Sequence, residues 1–322
     1  MKPLQFMLQQ RVAVIDLGTN TFHLLIAETT KQGFQKLYSD KVPVKIGEGG
    51  ISEGMITNEA QTRALAAIDK INDILQQYKV PESKIWVVAT SAFRSAKNGQ
   101  ALADTIEERT GFKVDIIDGS KEAEYIYFGA KTALDIGDTT SLIMDIGGGS
   151  VEFIIANQKR IFWKQSFEIG GQRLLDQFMR TDPITELDIQ RMNIFLEEKL
   201  WGMSEVVFNY SPKMLIGCSG TFDTLTEIND ARYPKGQSTR LSKTESEMDL
   251  DDFHEVYQAL VWKGRSERLK VKGMVEMRAD MIVVAVCLIR FIMDRYDLEH
   301  IRMSSYSLKE GLLSKMLGEM MD

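Results

Sequence analysis

The chain has 322 residues, of which 44% are hydrophobic, a composition typical of a globular protein with room for two domains. Its formal charge of −7, with acidic and basic residues interspersed, excludes the basic surface of a nucleic-acid-binding protein. An anionic ligand must therefore be held by local positive charge or by a metal. The longest apolar run, residues 281–289, is bounded by Asp280 and Arg290 and is too short to span a bilayer.

Cysteine and histidine usage limits the chemistry further. Cys218 and Cys287 lie in apolar stretches without paired spacing, which predicts a reducing, cytoplasmic environment and leaves a single bridge between them open. The first ten residues lack the apolar core of a signal peptide. The three histidines are not spaced as a pair, so the sequence predicts no zinc hydrolase site. It also contains neither a Walker loop nor a Ser-His-Asp pattern.

The first predicted element is a β-hairpin over residues 12–28. Its first strand ends at Asp16, and a second apolar strand resumes after a turn without large side chains. Glycine permits backbone N–H groups to approach an anion closely, and the turn adds small polar side chains. The turn residues predicted to bind a phosphate are Gly18, Thr19, Asn20 and Thr21.

The remainder of the first half alternates between strands and helices. The hydrophobic pattern predicts strands at residues 34–44, 85–90 and 114–118, and helices at residues 57–78 and 98–110. A glycine-rich loop over residues 45–54 is predicted to be mobile.

Two charged residues follow the predicted strands of this half. Arg94 comes after the strand at 85–90, where α/β proteins collect ligand-binding groups, although a lone arginine is often half of a surface ion pair. Glu122 lies in the first turn of a helix that begins at residues 119–120. Because the helix dipole keeps that carboxylate ionised, Glu122 either stabilises the helix end or accepts a proton from water.

The second half begins with a repeat of the first hairpin. Residues 142–157 place Asp145 where the first hairpin has Asp16, and Gly147 where the first has Gly18. A carboxylate at a strand end can hold a hydrated cation beside a glycine turn that cradles a phosphate. Two ordinary glycine turns are the alternative, which the repeated aspartate disfavours. The predicted phosphate-binding residues of this turn are Gly147, Gly148, Gly149 and Ser150.

Further turns and loops follow in the second half. Gly170 and Gly171 open a helix, and their amides either bind an anion or form only a tight turn. A third turn of small residues follows the predicted strand at 214–218. Residues 232–246 are predicted to be a polar loop, and the basic stretch at 266–272 a solvated face. The third turn adds three candidate phosphate-binding residues, Ser219, Gly220 and Thr221.

In this order, the motifs resemble those of the exopolyphosphatase / guanosine pentaphosphate phosphatase family. The matching segments cover nearly the whole chain: D-L-G-T-N-T-F-H from Asp16, A-T-S-A-F-R from Ala89, K-E-A-E from Lys121, D-I-G-G-G-S-V-E from Asp145, G-C-S-G-T from Gly217, R-A-D from Arg278 and S-L-K-E-G from Ser307. The resemblance implies the duplicated ribonuclease-H-like fold of actin, sugar kinases and heat-shock chaperone ATPases. We therefore expect an α/β protein of two domains, each with a mixed five-stranded sheet flanked by helices, and a cleft between them. The expected domains are residues 1–127, against which a helix at 305–322 packs back, and residues 128–304.

The resemblance also implies roles for individual residues in phosphoanhydride hydrolysis. Glu122 would be the base for the attacking water, and Arg94 would bind the terminal phosphoryl group together with the turn residues and Glu152. Asp145 and Asp16 would hold Mg²⁺. Catalysis would then consist mainly of positioning and charge neutralisation.

The chain departs from the family pattern at a few positions. Thr19 and Thr21 stand where serines are frequent and keep the hydroxyl groups. Lys309 stands where arginine is frequent and keeps the charge without the bidentate fork. Longer relatives carry an additional helical C-terminal part that this sequence does not include, so the resemblance does not extend to the grip on long polymers.

Three functions are compatible with these motifs. The first is an exopolyphosphatase that releases phosphate from inorganic polyphosphate, and the second is a guanosine pentaphosphate 5′-phosphatase. The third is a non-catalytic sensor of guanosine tetraphosphate, guanosine pentaphosphate or polyphosphate. The family also implies a homodimer, and we expect neither a nucleic-acid nor a membrane partner.

Overall fold

The computed structural model describes residues 10–31, 33–233 and 240–321. The chain divides into two compact units, one of Met1–Phe128 with Leu308–Asp322 and one of Gly129–Ser307. The first nine residues and part of the predicted polar loop, residues 234–239, lie outside the described residues. Among the helices described here, none combines the length and the hydrophobicity needed to cross a membrane.

The first unit is built on a five-stranded mixed sheet with the strand order β3-β2-β1-β4-β5. Strand β1 pairs antiparallel with β2 and parallel with β4, and β5 continues the parallel part. The elements of this part of the chain are β1 (Arg11–Leu17), β2 (Thr21–Thr30), β3 (Gly33–Pro43), α1 (Asn58–Gln77), β4 (Ile85–Ala89), α2 (Ser91–Ser95), α3 (Gly99–Thr110), β5 (Val114–Ile116) and α4 (Gly119–Ala133).

Helix α1 illustrates how local sequence sets the elements of this unit. The Thr57 hydroxyl accepts a hydrogen bond from the Ala60 amide (3.2 Å), which satisfies one of the orphan donors at the helix start. Apolar residues three and four positions apart then form one buried face, which includes Ile68, Ile71 and Leu75. This face joins the core of the first unit.

The second unit is built on a six-stranded mixed sheet with the order β10-β11-β9-β6-β7-β8. The elements of the second half of the chain are β6 (Ser141–Ile146), β7 (Val151–Ala156), β8 (Ile161–Phe167), α5 (Gly171–Phe178), α6 (Glu186–Lys199), α7 (Trp201–Tyr210), β9 (Met214–Cys218), α8 (Ser219–Asp230), β10 (Glu245–Met248), α9 (Leu250–Val261), α10 (Arg265–Arg268), α11 (Ile282–Tyr296), β11 (His300–Ser304) and α12 (Leu308–Met321). Helix α12 belongs to the first unit, where it packs against β1, β2 and β3.

The two sheets have the same topology apart from one strand. Strands β6, β7, β8, β9 and β11 take the places of β1, β2, β3, β4 and β5, in the same order and with the same directions. The predicted duplicated ribonuclease-H-like fold is therefore confirmed, while the prediction of five strands in the second sheet is wrong by one. The additional edge strand, β10, forms at the end of the predicted polar loop, where Ser246 and Met248 are buried beside β11.

The basic stretch at residues 266–272 differs in part from the prediction of a solvated face. Arg268 is completely buried and donates hydrogen bonds to the Ala279 carbonyl (2.7 Å) and to Asp182 (2.6 Å). Its charge is therefore compensated inside the protein rather than by solvent.

Candidate active site

The two hairpins that the repeat predicts have the same register. Across the first turn Leu17 pairs with Phe22, and across the second Ile146 pairs with Val151. In both, four residues connect the paired positions. The predicted correspondence between the hairpins therefore holds residue by residue.

The first glycine of each turn is required by close backbone packing. A Cβ atom on Gly18 would lie 2.8 Å from the Thr21 carbonyl oxygen, and one on Gly147 would lie 3.0 Å from the Ser150 carbonyl oxygen. At Gly18 any other residue would have to displace the turn backbone, and at Gly147 the turn would have to give by a few tenths of an ångström.

The start of helix α5 holds the second turn from one side. Three of its amides donate to three consecutive glycine carbonyls: Gly171 to Gly147 (2.8 Å), Gln172 to Gly148 (2.8 Å) and Gly170 to Gly149 (3.1 Å). Because a trans peptide points its C=O and its N–H in opposite directions, the amides of Gly148, Gly149 and Ser150 point away from α5. Amides directed together in this way on the other side of the hairpin are suited to bind an anion.

The same contacts decide between the two interpretations of Gly170 and Gly171. Their amides are engaged by the turn carbonyls, so the expectation that they bind an anion themselves is wrong. The pair instead lets the helix approach closely, because a Cβ atom on Gly170 would lie 2.5 Å from backbone atoms of Gly148 and Gly149.

The first turn is held in a related way by the glycine-rich loop. The Asn20 carbonyl accepts hydrogen bonds from the Val44 and Lys45 amides (3.0 Å each), and the Thr19 carbonyl accepts one from Gly47 (3.1 Å). By the same peptide geometry, the amides of Asn20 and Thr21 point away from the loop.

The glycine-rich loop at 45–54 is itself packed, contrary to the prediction that it is mobile. Ile46 and Ile51 are buried in the core of the first unit, and a Cβ atom on Gly50 would lie 2.4 Å from the Met55 carbonyl oxygen. The loop therefore supports the turn.

Thr19 provides an orphaned polar atom in the first turn. Its side chain is 3% exposed, and within the described part of the chain its hydroxyl oxygen has no hydrogen-bond partner. A buried hydroxyl without a partner is rare because desolvation is costly, so this one is suited to a ligand. Thr21 is also buried.

Arg94 and Glu122 form an ion pair in the first unit. The Arg94 Nη1 atom donates to Glu122 Oε2 (2.8 Å) and to the Ile117 carbonyl (3.1 Å). Glu122 is 7% exposed, so this pair is partly shielded from water. The free amides at the N-terminus of α4 are capped by Asp118, whose carboxylate accepts a hydrogen bond from the Lys121 amide (2.8 Å). Glu122 is therefore not the capping residue of this helix.

Sheet topology brings these groups to one edge of the first unit. The first turn follows β1, α2 with Arg94 follows β4, and α4 with Glu122 follows β5, and these three strands are parallel. The carboxyl ends of parallel strands meet at the same edge, where α/β proteins bind ligands. A hydrogen bond from the Thr90 amide to the Leu17 carbonyl (3.3 Å) joins the first two of these segments.

The second unit gathers its groups in the same way. Asp145 is 5% exposed and accepts hydrogen bonds from the hydroxyls of Ser307 and Ser219, which follow β11 and β9. Burial raises the pKa of Asp145, and the two serine hydroxyls and the Arg278 guanidinium oppose that shift. The backbone of Ser219 has φ of 73°, a left-handed conformation that is strained for serine.

Arg278 and Ser307 are site residues that the sequence reasoning did not single out. A Cβ atom on Gly220 would lie 2.0 Å from Arg278 Nη2, so the guanidinium rests directly on the start of α8. Burial lowers the pKa of Arg278, while the carboxylates of Asp223 and Asp145 act against this. Both residues could have been identified from the sequence, because each is the first residue of a family motif, R-A-D and S-L-K-E-G respectively.

Glu152 lies directly opposite Asp145 in the β6–β7 register, so both carboxylates project from the same face of the sheet. Glu152 is 1% exposed and accepts a hydrogen bond from the Ser166 hydroxyl (2.6 Å). Within the described residues no three His, Cys, Asp or Glu side chains are grouped to hold an ion. Two carboxylates still fit Mg²⁺, which keeps several waters and takes other ligands from phosphate.

Two residues at the third turn are tightly packed, and a phosphate contact of Thr221 stays a prediction. A Cβ atom on Gly217 would lie 2.0 Å from the Phe222 ring, and Thr221 is buried in the first turn of α8. Cys218 and Cys287 are both buried free thiols, which resolves the open question of a bridge.

Comparison with known proteins gives consistent matches over nearly the whole chain. The sequence model of the Ppx/GppA phosphatase family matches residues 25–320. An exopolyphosphatase from Cytophaga hutchinsonii ATCC 33406, known from its crystal structure, is 45% identical, with 96% of this chain and 98% of that chain covered and a TM-score of 0.92. The Aquifex aeolicus member of the Ppx/GppA family is 23% identical, with 96% and 98% covered and a TM-score of 0.76, and shares the fold.

Proposed function

The chain belongs to the Ppx/GppA phosphatase family, and from that premise we propose that it is an exopolyphosphatase, a hydrolase that removes the terminal phosphate of inorganic polyphosphate. The similar Cytophaga hutchinsonii protein, described as an exopolyphosphatase, supports this substrate. The observation that carries the proposal is the Arg94–Glu122 pair, which lies at the edge of the sheet where the first turn holds its orphaned Thr19 hydroxyl.

The proposed reaction is the attack of water on the terminal phosphorus. Glu122 accepts a proton from the water, whose oxygen bonds to phosphorus while the bridging P–O bond breaks. The products are orthophosphate and a chain one phosphate shorter, which leaves with the electron pair of the broken bond. Arg94 orients Glu122 and offers its remaining N–H groups to the phosphoryl oxygens, whose charge the turn amides also stabilise.

Mg²⁺ is the proposed cofactor of this reaction. Asp145 and Glu152 would hold it in the second unit, and Asp16 occupies the equivalent of Asp145 in the first. When bound, the ion supplies positive charge to the phosphate oxygens. We therefore assign Glu152 to the metal rather than to phosphate, because a buried carboxylate repels a phosphate oxygen.

Several finer expectations remain proposals. The predicted domains, residues 1–127 with 305–322 and residues 128–304, are proposed to be the functional halves, and the protein is proposed to act in the cytoplasm as a homodimer. Guanosine pentaphosphate is the alternative substrate. The hypothesis of a non-catalytic sensor was supported in part by a flexible loop at 45–54, and this support is lost because the loop is packed against the core.

The test compares phosphate release from polyphosphate by the wild type and by Glu122→Gln. We expect kcat to fall by about two to four orders of magnitude, because the amide cannot accept the proton. The matched control is Glu124→Gln on the same helix, which loses an ion pair to Lys315 away from the proposed base and is expected to retain activity.

Further assays separate the alternatives. Equal rates for Glu122→Gln and the wild type would remove Glu122 as the base. A higher kcat/KM for guanosine pentaphosphate would favour the alternative substrate, and calorimetric binding of either compound without turnover would favour the sensor.

A further inference from the structure

Helices α6 and α7 expose four large apolar side chains spaced seven residues apart. The exposed fractions are 53% for Leu187, 70% for Ile194, 72% for Trp201 and 56% for Phe208. Leu200 alone separates the helices, and the hydrogen bonds from its amide to Leu196 and from Ser204 to its carbonyl continue the ladder. We call these four residues the outer stripe.

The outer stripe is separate from the face by which the helices join the core. The buried residues of α6 and α7 include Met192, Leu196, Met203 and Val207. At 100° per residue, the outer stripe lies on the opposite side of each helix. A helix that is apolar on two opposite faces is ordinarily buried on both, so the outer stripe calls for a partner surface.

A groove crosses the middle of the outer stripe. Ile194, Trp201 and Phe291 line an open cavity of about 670 Å³, with Glu197 and Glu198 at its margin. Phe208 is linked to this margin through Arg295, which lies over its ring (5.6 Å) and pairs with Glu197 (3.2 Å). The stripe thus offers both a protruding indole and a recess.

We infer that the outer stripe binds the outer stripe of a second copy of this chain, with the helices antiparallel about a two-fold axis beside Glu198. In this register Ile194 lies against Trp201 of the second copy, and Leu187 lies against Phe208. Seven-residue spacing keeps such contacts in step along paired helices. A two-fold interface requires one surface to complement itself. This stripe does so because its two aliphatic residues lie on one side of the axis and its two aromatic residues on the other, so that each small residue faces a large one.

Charge on the flank of the stripe favours the antiparallel order. Arg191 and Glu205 lie seven residues to either side of Glu198 and on the same flank, so each faces the opposite charge of the second copy. Antiparallel helices pair like flanks, which gives two such ion pairs for each dimer. The two Glu198 carboxylates meet at the axis, where solvent screens their repulsion.

The area available is consistent with a reversible dimer. Four half- to three-quarter-exposed side chains of this size offer on the order of 400 Å² on each copy, about half of a standard interface. Flanking residues supply the remainder, and we expect a dimer at micromolar concentration that dissociates on dilution.

Sedimentation velocity of the full chain tests the surface. The wild type is expected to sediment as a dimer and Trp201→Glu as a monomer, because the exposed indole is lost while a glutamate in the first turn of a helix is favourable for folding. The matched control is Leu241→Glu, which places a charge at another exposed apolar residue, off the stripe, and is expected to remain dimeric. A monomeric wild type, or a dimeric Trp201→Glu variant, overturns the inference.

Single cysteines test the register independently of affinity. Glu198→Cys is expected to form an intermolecular disulfide under mild oxidation, because the two copies of this position meet at the axis. Glu205→Cys is expected not to cross-link with itself, since 14 residues of helix, about 20 Å, separate its copies. The native thiols are buried and do not compete. Self-cross-linking through residue 205 but not 198 would overturn the antiparallel arrangement.

Discussion

At the scale of single residues, Gly220 shows that a glycine in a site need not contact the ligand. The absence of a side chain at this position leaves room for the guanidinium of Arg278, whose charge acts on Asp145. A motif search identifies the glycine, but the reason for it lies 58 positions away in the sequence.

We predict that Gly220→Ala lowers kcat/KM roughly tenfold to a hundredfold, because the Cβ atom displaces Arg278 and a small misplacement of a charged group is costly in catalysis. Steady-state phosphate release measures this. The matched control is Gly202→Ala, which is also the second residue of a helix but has no atom within 4 Å of its Cβ position. Unchanged activity in both variants would show that Arg278 does not act on the site.

At the scale of elements, Arg268 joins α10 to the segment that precedes α6. It is fully buried, and Asp182 accepts two of its hydrogen bonds (2.6 and 3.2 Å) as well as one from the Arg265 amide (2.8 Å). Burial alone would raise the pKa of Asp182, but the hydrogen bonds from Arg268 and Arg265 outweigh it and hold the pKa below its usual range.

We predict that Asp182→Asn lowers the free energy of unfolding at pH 7 by about 1–3 kcal/mol. This is less than the roughly 3–5 kcal/mol for breaking a fully buried pair, because the Asp182 carboxyl is about a third exposed. Since the pKa is lower in the folded state, the ionised carboxylate contributes stability above the unfolded pKa, near 4. That contribution is lost as the pH falls through the folded pKa. The difference between variant and wild type should therefore shrink below about pH 4 in urea titrations.

The control for this prediction is Asp294→Asn, which removes an exposed surface pair with Arg290 (3.4 Å). We expect this substitution to change the free energy of unfolding by less than about 0.5 kcal/mol, both at pH 7 and below about pH 4. A stability difference for Asp182→Asn that stays constant down to pH 2 would show that the aspartate acts by shape alone.

At the scale of the whole molecule, the first unit is discontinuous in sequence while the second is continuous. Helix α12 completes the first unit by burying Leu312, Leu313 and Leu317 on the side of its sheet. Full burial of one leucine contributes about 1.5–3 kcal/mol, so this helix supplies a large share of a domain's marginal stability.

We predict that residues 129–307 fold alone with a cooperative thermal transition, whereas residues 10–128 alone expose apolar surface and bind a hydrophobic dye. Linking residues 308–321 to residue 128 through a Gly/Ser linker should restore a cooperative transition, as measured by circular dichroism. A cooperative transition in the 10–128 fragment without the helix would show that α12 is dispensable.

The sequence predicted the doubled fold because an Asp-Gly turn between apolar strands repeats with the same spacing. It did not predict the sixth strand, since three of the four residues 245–248 are polar and the segment pairs only with β11. The buried Arg268 and the engaged amides of Gly170 and Gly171 escaped prediction for a common reason. Their partners lie far away in the sequence, 86 positions in the case of Asp182, and local patterns carry no information about them.

The clasp of helix α5 on the second turn has a thermodynamic consequence. Ordering a flexible backbone costs about 1–2 kcal/mol per residue, and a loop of three glycines would meet that cost each time it closed on an anion. Here the hydrogen bonds from α5 to the three carbonyls already order the turn in the folded protein. The entropy is therefore lost during folding, and the amides can bind a phosphate without rearrangement. Loosening the clasp, for example at Gly170, would therefore weaken affinity at a position that never touches the ligand.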